Sequence, residues 1–273
     1  MAQAGMSDDL PPLPQRPFGR SGKSVSVLGL GTVKFGRNTG VKYPGGDGFA
    51  LPSDADISSL LDLSLDLGIN LLDTAPAYGT AEERLGHAMG ARRDKFFIVS
   101  KTGEEFDAET ARSKYIFTAA HTRHSVERSL QRLKTDFIDC VLVHSSRDDV
   151  RVINDTPVLE TLARLKDEGK IGLFGVSTYT VEGGTQAAEL CDAVMVAHNR
   201  NYTAEAAVIA HAQAQGCAVL VKKGLASGHM AGGQALAENI GFVLQIAGVT
   251  SLVFGSLKPE NIRANVRAAL AVL

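Results

Sequence analysis

Apolar residues along this chain fall into two alternating kinds of segment: short, nearly continuous runs of Val, Ile and Leu, and longer stretches where apolar positions recur at helical spacing. The short runs, at 26–32, 69–73, 96–100, 137–143, 172–176, 193–197, 218–221 and 251–254, each predict a strand. The longer ones, at 53–67, 81–89, 119–133, 157–168, 181–190, 204–215, 235–246 and 259–270, predict the intervening helices. Local punctuation agrees: Ser53-Asp54-Ala55-Asp56 offers a cap and early acids, and Gly68, Gly169 and Gly216 close helices. Strands apolar on both faces and separated by helices suit a parallel sheet covered on its outside. Eight such units in about 250 residues is the count of a (β/α)₈ TIM barrel. The expected organisation is a flexible N-terminal tail, 1–16, before a single α/β barrel domain, 17–273. Gly29-Leu30-Gly31 superficially supports the competing open doubly wound sheet. Lys34, however, stands where a dinucleotide fingerprint needs glycine, and a Gly-rich loop, not a helix, follows over 38–47.

Composition narrows the function. With 28 Lys+Arg against 30 Asp+Glu the net charge is -2, so charge alone makes no case for binding nucleic acid or an acidic membrane. Cys140, Cys191 and Cys217 are odd in number and widely spaced, which indicates neither a disulfide framework nor a zinc knuckle and makes the cytoplasm the expected compartment. Residues 239–257 are uncharged and of membrane-spanning length, but Gly241, Gly248 and Gly255 break them, so they read as a buried helix, turn and strand. The expected partner is a small molecule, and nothing in the sequence sets the oligomeric state.

Four polar residues stand out by position. Asp73 ends the second strand, Lys101 follows the third, His144 follows the fourth, and Tyr78 lies five residues beyond Asp73. In a parallel barrel all strand C-termini share one rim, so these side chains are expected to converge on one mouth. The combination has a chemical sense: a phenol with an ordinary pKa of about 10 donates a proton poorly at neutral pH, and a nearby lysine cation favours the phenolate. Asp73 then holds Lys101, and His144 directs a hydrogen bond at the oxygen being protonated. No nucleophile elbow, metal cage or paired carboxylate set accompanies them, which leaves chemistry at a carbonyl oxygen. Since no side chain supplies a hydride, reduction requires a nicotinamide cofactor.

The loops after strands seven and eight, where barrel enzymes often hold phosphate, are 222–228 and 255–259. Both contain glycine and lysine, and Pro259 opens the last helix, whose free N–H groups add to anion binding beside Ser256 and Lys258. Residues 224–237 carry no charge and four glycines, and read as a mobile loop able to fold over a ligand. His121 and His124 share one helix face without a third metal ligand, and His198 follows the sixth strand toward the same mouth.

From about Phe18 to Val266 the chain resembles the aldo-keto reductase superfamily. The resemblance rests on 68–79, containing Asp73-Thr74-Ala75-Pro76-Ala77-Tyr78-Gly79, and on Glu82-Glu83-Arg84-Leu85-Gly86. Ser100-Lys101, the stretch 129–139, Gly175-Val176-Ser177 and the closing 261–266 support it. It implies a catalytic tetrad of Asp73, Tyr78, Lys101 and His144, with Tyr78 as general acid and hydride from NADPH, NAD remaining possible. The implied cofactor contacts are Gly31, Thr32, Ser177, Lys222, Gly224, Leu225, Gly255, Ser256, Lys258, Asn261 and Asn265, and no metal is implied. Departures from the family pattern are Thr178 for a common Asn, Met195 near a common Gln, Lys222 for the aromatic that stacks on the nicotinamide, Ser145 for a common Trp, and Asn261 for an Arg or Gln. Two other classes stay open: a Schiff-base lyase using Lys101, Lys222 or Lys223, and a non-catalytic barrel that binds NADPH to report redox state.

Overall fold

A computed structural model describes residues 10–41, 46–225 and 233–273. Eight parallel strands close a barrel: β1 (Leu28–Gly31), β2 (Leu71–Asp73), β3 (Phe97–Thr102), β4 (Ile138–His144), β5 (Ile171–Ser177), β6 (Ala193–Ala197), β7 (Ala218–Lys222) and β8 (Val249–Phe254). Closure is made by β8 pairing with β1, with Leu252 opposite Leu28. Eight helices cover it: α1 (Asp54–Asp66), α2 (Ala81–Met89), α3 (Ala119–Leu133), α4 (Val158–Asp167), α5 (Val181–Leu190), α6 (Ala206–Gln215), α7 (Gly233–Leu244) and α8 (Pro259–Leu270).

Alternation along the strands divides the core in two, as side chains of period 2 require. Leu71, Val99, Leu142, Met195 and Leu220 fill the barrel interior, whereas Leu72, Ile98, Val141, Val194 and Val219 pack outward against the helices. Gly29 is a packing glycine, because a Cβ there would lie 2.4 Å from Leu71 Cδ2. Ser53 caps α1 reciprocally with Asp56, satisfying end donors that a helix leaves open. The uncharged run 239–257 is the end of α7, a turn and β8, and among the described residues no helix is long and apolar enough to cross a membrane.

Two antiparallel hairpins are additions to the expected elements: Gln15–Pro17 with Ser24–Ser26, and Glu104–Asp107 with Arg112–Tyr115. The first corrects the expected tail from residue 10 onward. Leu13 is buried, Phe18 enters the barrel interior 4.6 Å from the Phe97 ring, and Arg16 donates to the carbonyls of Val249 and Leu244 at 2.6 and 2.8 Å. Burial of that apolar surface ties this segment to the barrel. Residues 1–9 lie outside the described residues.

Candidate active site

Period 2 also decides which rim side chains point inward. Asp73 follows Leu71, Lys101 follows Val99 and His144 follows Leu142, so all three extend the interior face at the C-terminal end of adjacent strands. There Lys101 Nζ donates to Asp73 Oδ1 at 2.5 Å and to the Thr74 carbonyl at 2.9 Å, with both charged side chains buried. Tyr78 comes from the loop after β2. Its ring centroid lies 5.0 Å from Lys101 Nζ and 6.4 Å from the His144 ring, which it meets edge-on at 87°. Asp73, Tyr78 and His144 line one cavity of about 620 Å³, and Lys101 sits behind Asp73.

The Tyr78 loop is fixed by close backbone approach. Gly79 has φ +62°, and a Cβ there would lie 2.1 Å from the Gly36 carbonyl oxygen, so only glycine fits. Arg84 joins the same layers by donating to the carbonyls of Phe35 and Pro52. The Glu82–Gly86 motif is therefore structural. Buried Glu82 accepts from Ser100 Oγ at 2.7 Å, burial raising its pKa above the ordinary value, and a Cβ on Gly86 would meet the Arg132 carbonyl at 2.1 Å.

Sequence reasoning missed the acid beside His144. Glu104, on the second hairpin, brings Oε2 to 2.7 Å from His144 Nδ1, a close polar contact in which Nδ1 makes no hydrogen bond among the described residues. Ser113 Oγ donates to the other carboxylate oxygen at 2.5 Å. Burial acts to raise the Glu104 pKa, but the contacts with His144 and Ser113 and the charge of Arg37 outweigh it and hold the group at about 2. His144 is shifted below its ordinary value, because burial and the charges of Lys101 and Lys222 outweigh Glu104. The direction that fits both groups is an ionised Glu104 beside a neutral imidazole. Thr102 lies opposite Val143, so the hairpin that begins at Glu104 starts beside the end of β4.

The other half of the mouth is basic. Lys34, Arg37, Arg147, Lys222 and Lys223 line the cavity against two carboxylates, Asp73 and Glu104. Gly31, Thr32, Gly224, Leu225, Gly255, Ser256, Asn261 and Asn265 lie on the same wall. Lys258 is exposed and does not line it, and Ser256 Oγ is occupied at the start of α8, accepting from the Lys258 N–H at 3.1 Å. Lys222 Nζ donates to Ser177 Oγ and the Thr178 carbonyl, both at 2.8 Å, and lies 4.3 Å from the centroid of Tyr179. Burial lowers the Lys222 pKa to about 7 despite the charge of Glu205, whose carboxylate accepts from Thr178 Oγ1 at 3.2 Å. His198, expected toward the mouth, is buried instead and stacks on Phe242 at 5.2 Å. His121 Nε2 lies 3.2 Å from Glu105, and the three cysteines are buried and free. Residues 226–232 of the expected mobile loop, and 42–45 of the Gly-rich loop, lie outside the described residues.

Comparison with known proteins gives a consistent set of likenesses. Residues 27–244 match the sequence profile described as "Aldo/keto reductase family". The chain is 31% identical over 166 residues to an uncharacterised oxidoreductase, YqkF, of Bacillus subtilis, covering 60% of this chain and 48% of that protein. It is 32% identical over 152 residues to D-arabinose 1-dehydrogenase of Saccharomyces cerevisiae, covering 51% and 42%. The matched part thus spans about half the length of these curated relatives. A crystal structure from Pseudomonas aeruginosa, PA4992, provisionally assigned as an aldo-keto reductase, superposes with a TM-score of 0.86 at 47% identity, covering 94% of this chain and 95% of that one.

Proposed function

Since the chain belongs to the aldo/keto reductase family, we propose that it is an NAD(P)H-dependent oxidoreductase that reduces the carbonyl of a small aldehyde, ketone or sugar, or runs the reverse oxidation, with Tyr78 as general acid. The observation that carries this reading is the buried Lys101–Asp73 pair at 2.5 Å, with its ammonium 5.0 Å from the Tyr78 ring, beside a cavity that Tyr78 and His144 share. Tyr78 gives its phenolic proton to the carbonyl oxygen, and the fixed ammonium stabilises the phenolate left behind. Asp73 and the Thr74 carbonyl hold that ammonium in place, so no reorganisation is needed when charge develops.

The wall residues suit a nicotinamide dinucleotide. Five Lys or Arg side chains line the cavity and would offset the negative charge of its diphosphate. Such a cofactor supplies the hydride when bound. Lys222, Lys223, Ser256, Asn261 and Asn265 are the residues we assign to holding it, with NADP expected over NAD because a further phosphate suits this basic wall. Ser177 is buried and does not line the cavity; it accepts from Lys222 Nζ and would act on a bound nicotinamide through that lysine.

One observation favours the Schiff-base lyase, namely a Lys222 pKa of about 7. Its Nζ is engaged by Ser177 and Thr178, however, as a fixed donor rather than a free nucleophile. The test is the loss of NADPH or NADH absorbance with a panel of aldehydes, ketones and sugars, the sugars included because one relative is a D-arabinose 1-dehydrogenase. Consumption with at least one class supports the proposal. Borohydride-trapped substrate on the protein, without any nucleotide requirement, replaces it with the lyase.

A further inference from the structure

We propose that the carbonyl compound this reductase acts on carries an anionic group, a carboxylate or a phosphate ester, and that Arg147 is the residue that receives it. The proposal deepens the reductase reading and rests on it.

Arg147 lies in the loop that leaves β4 just past His144, and it lines the cavity that Tyr78 and His144 share. Its backbone takes φ +81°, a region that glycine enters freely and other residues seldom occupy. Glycine would relieve the strain but would remove the guanidinium. Tyr179, from the loop after β5, flanks that group: the guanidinium carbon lies 5.2 Å from the centroid of the ring. Asp149 ties the two loops into one frame, its Oδ2 accepting from the backbone N–H groups of Tyr179 and Thr180 at 2.8 and 2.7 Å.

The acids nearest to Arg147 in sequence are engaged elsewhere. Asp148 lies 3.8 Å from Arg151, and Asp149 is bonded to the Tyr179 loop. Among the described residues no carboxylate pairs with Arg147. The two carboxylates on the cavity wall have other partners, Lys101 for Asp73 and Ser113 for Glu104. Arg37 differs in kind, because its three guanidinium nitrogens donate to the carbonyls of Thr39, Ala77 and Gly40 at 3.0, 3.1 and 2.9 Å. It contributes fixed charge beside Tyr78, whereas Arg147 presents an open planar fork, the donor geometry that matches carboxylate and phosphate oxygens. Position separates this fork from the cofactor wall. That wall is built on the loops after β7 and β8, and β4 stands opposite β8 in the closed barrel. A substrate whose carbonyl meets Tyr78 therefore finds Arg147 in the same cavity as its second anchor.

Two matched pairs of aldehydes test this on the full-length protein saturated with NADPH: 4-oxobutanoate against its methyl ester, and glyceraldehyde 3-phosphate against glyceraldehyde. In at least one pair kcat/KM should favour the anion by about 10-fold or more, the lower end of what hydrogen bonds to a charged group contribute, since Arg147 is exposed at the rim. The responding pair identifies the group that is taken. Arg147→Gln should abolish that preference, chiefly through KM, while the neutral aldehyde and NADPH affinity change by less than about 2-fold. Arg147→Lys should keep part of it. Arg151→Gln, exposed and outside the cavity, should keep all of it. Neutral aldehydes reduced as well as their anionic partners leave the reductase reading standing and overturn this proposal. So does an Arg147→Gln protein that keeps the preference, or that loses NADPH affinity instead. If no carbonyl compound consumes NADPH, the reductase reading fails, and binding of succinate decides the anion site separately. Succinate should raise the Tm of the wild type but not of Arg147→Gln, and neutral succinamide should raise neither; equal shifts with succinate in both proteins contradict the site.

Discussion

Replacing Lys101 by Met removes one half of a pair whose side chains are 1% and 7% exposed. Asp73 is then left charged and buried, keeping no cationic partner at 2.5 Å. Truncating one member of a buried ion pair costs about 3–5 kcal/mol, because the surviving charge stays desolvated and unpaired. For a domain of this size that corresponds to a fall in Tm of roughly 10 °C. Turnover should fall about 100-fold or more, since the phenolate left by proton transfer loses its nearest fixed cation. The double variant Lys101→Met with Asp73→Asn separates the two effects. It leaves no bare charge, so most of the lost stability should return, while turnover stays low. Thermal unfolding followed by circular dichroism and NADPH consumption, run on the same three proteins, provide the readings. A Lys101→Met protein that melts within a degree of the wild type refutes the stability argument. A double variant with wild-type turnover refutes the catalytic one.

Two further perturbations follow from the site. Gly79→Ala forces a side chain into φ +62° and against the Gly36 carbonyl, so it should destabilise the protein by about 1–3 kcal/mol or more and lower turnover by displacing Tyr78, as urea unfolding and a rate assay will register. Lys222 has its pKa lowered from 10.5 to about 7 by burial, so between those values the unfolded chain holds more protons than the folded one, and stability should rise as pH increases from 7 to 10. In Lys222→Met that rise should be absent, which urea midpoints at pH 7 and pH 9 will reveal; an equal rise in both proteins contradicts the burial argument.

The barrel was legible in the sequence because its strands are buried on both faces. The run 193–197 is apolar throughout and 137–143 is apolar except for Asp139, and helical stretches separate such runs. The two hairpins were not legible for the opposite reason. Gln15–Pro17 contains a proline, and Arg112–Tyr115 is exposed along its whole length, so neither has an apolar alternation to read. Asp73, Lys101 and His144 stood out because Asp73 ends a predicted strand and Lys101 and His144 each directly follow one. Glu104 did not, since its partner lies 40 residues away and the two meet only through the register of β3 with β4. His198 also follows a strand, yet it packs on Phe242. A position after a strand fixes the rim, and the face of the rim depends on residue parity and on the local turn.

The most direct test of the central claim is a single-turnover comparison of wild-type protein and Tyr78→Phe, each preloaded with NADPH and mixed with an aldehyde that the wild type consumes. The account predicts equal nucleotide affinity in the two proteins and a loss of about 100- to 10,000-fold in the rate of NADPH oxidation when the phenolic proton is absent. Oxidation of NADPH at the wild-type rate by Tyr78→Phe contradicts it.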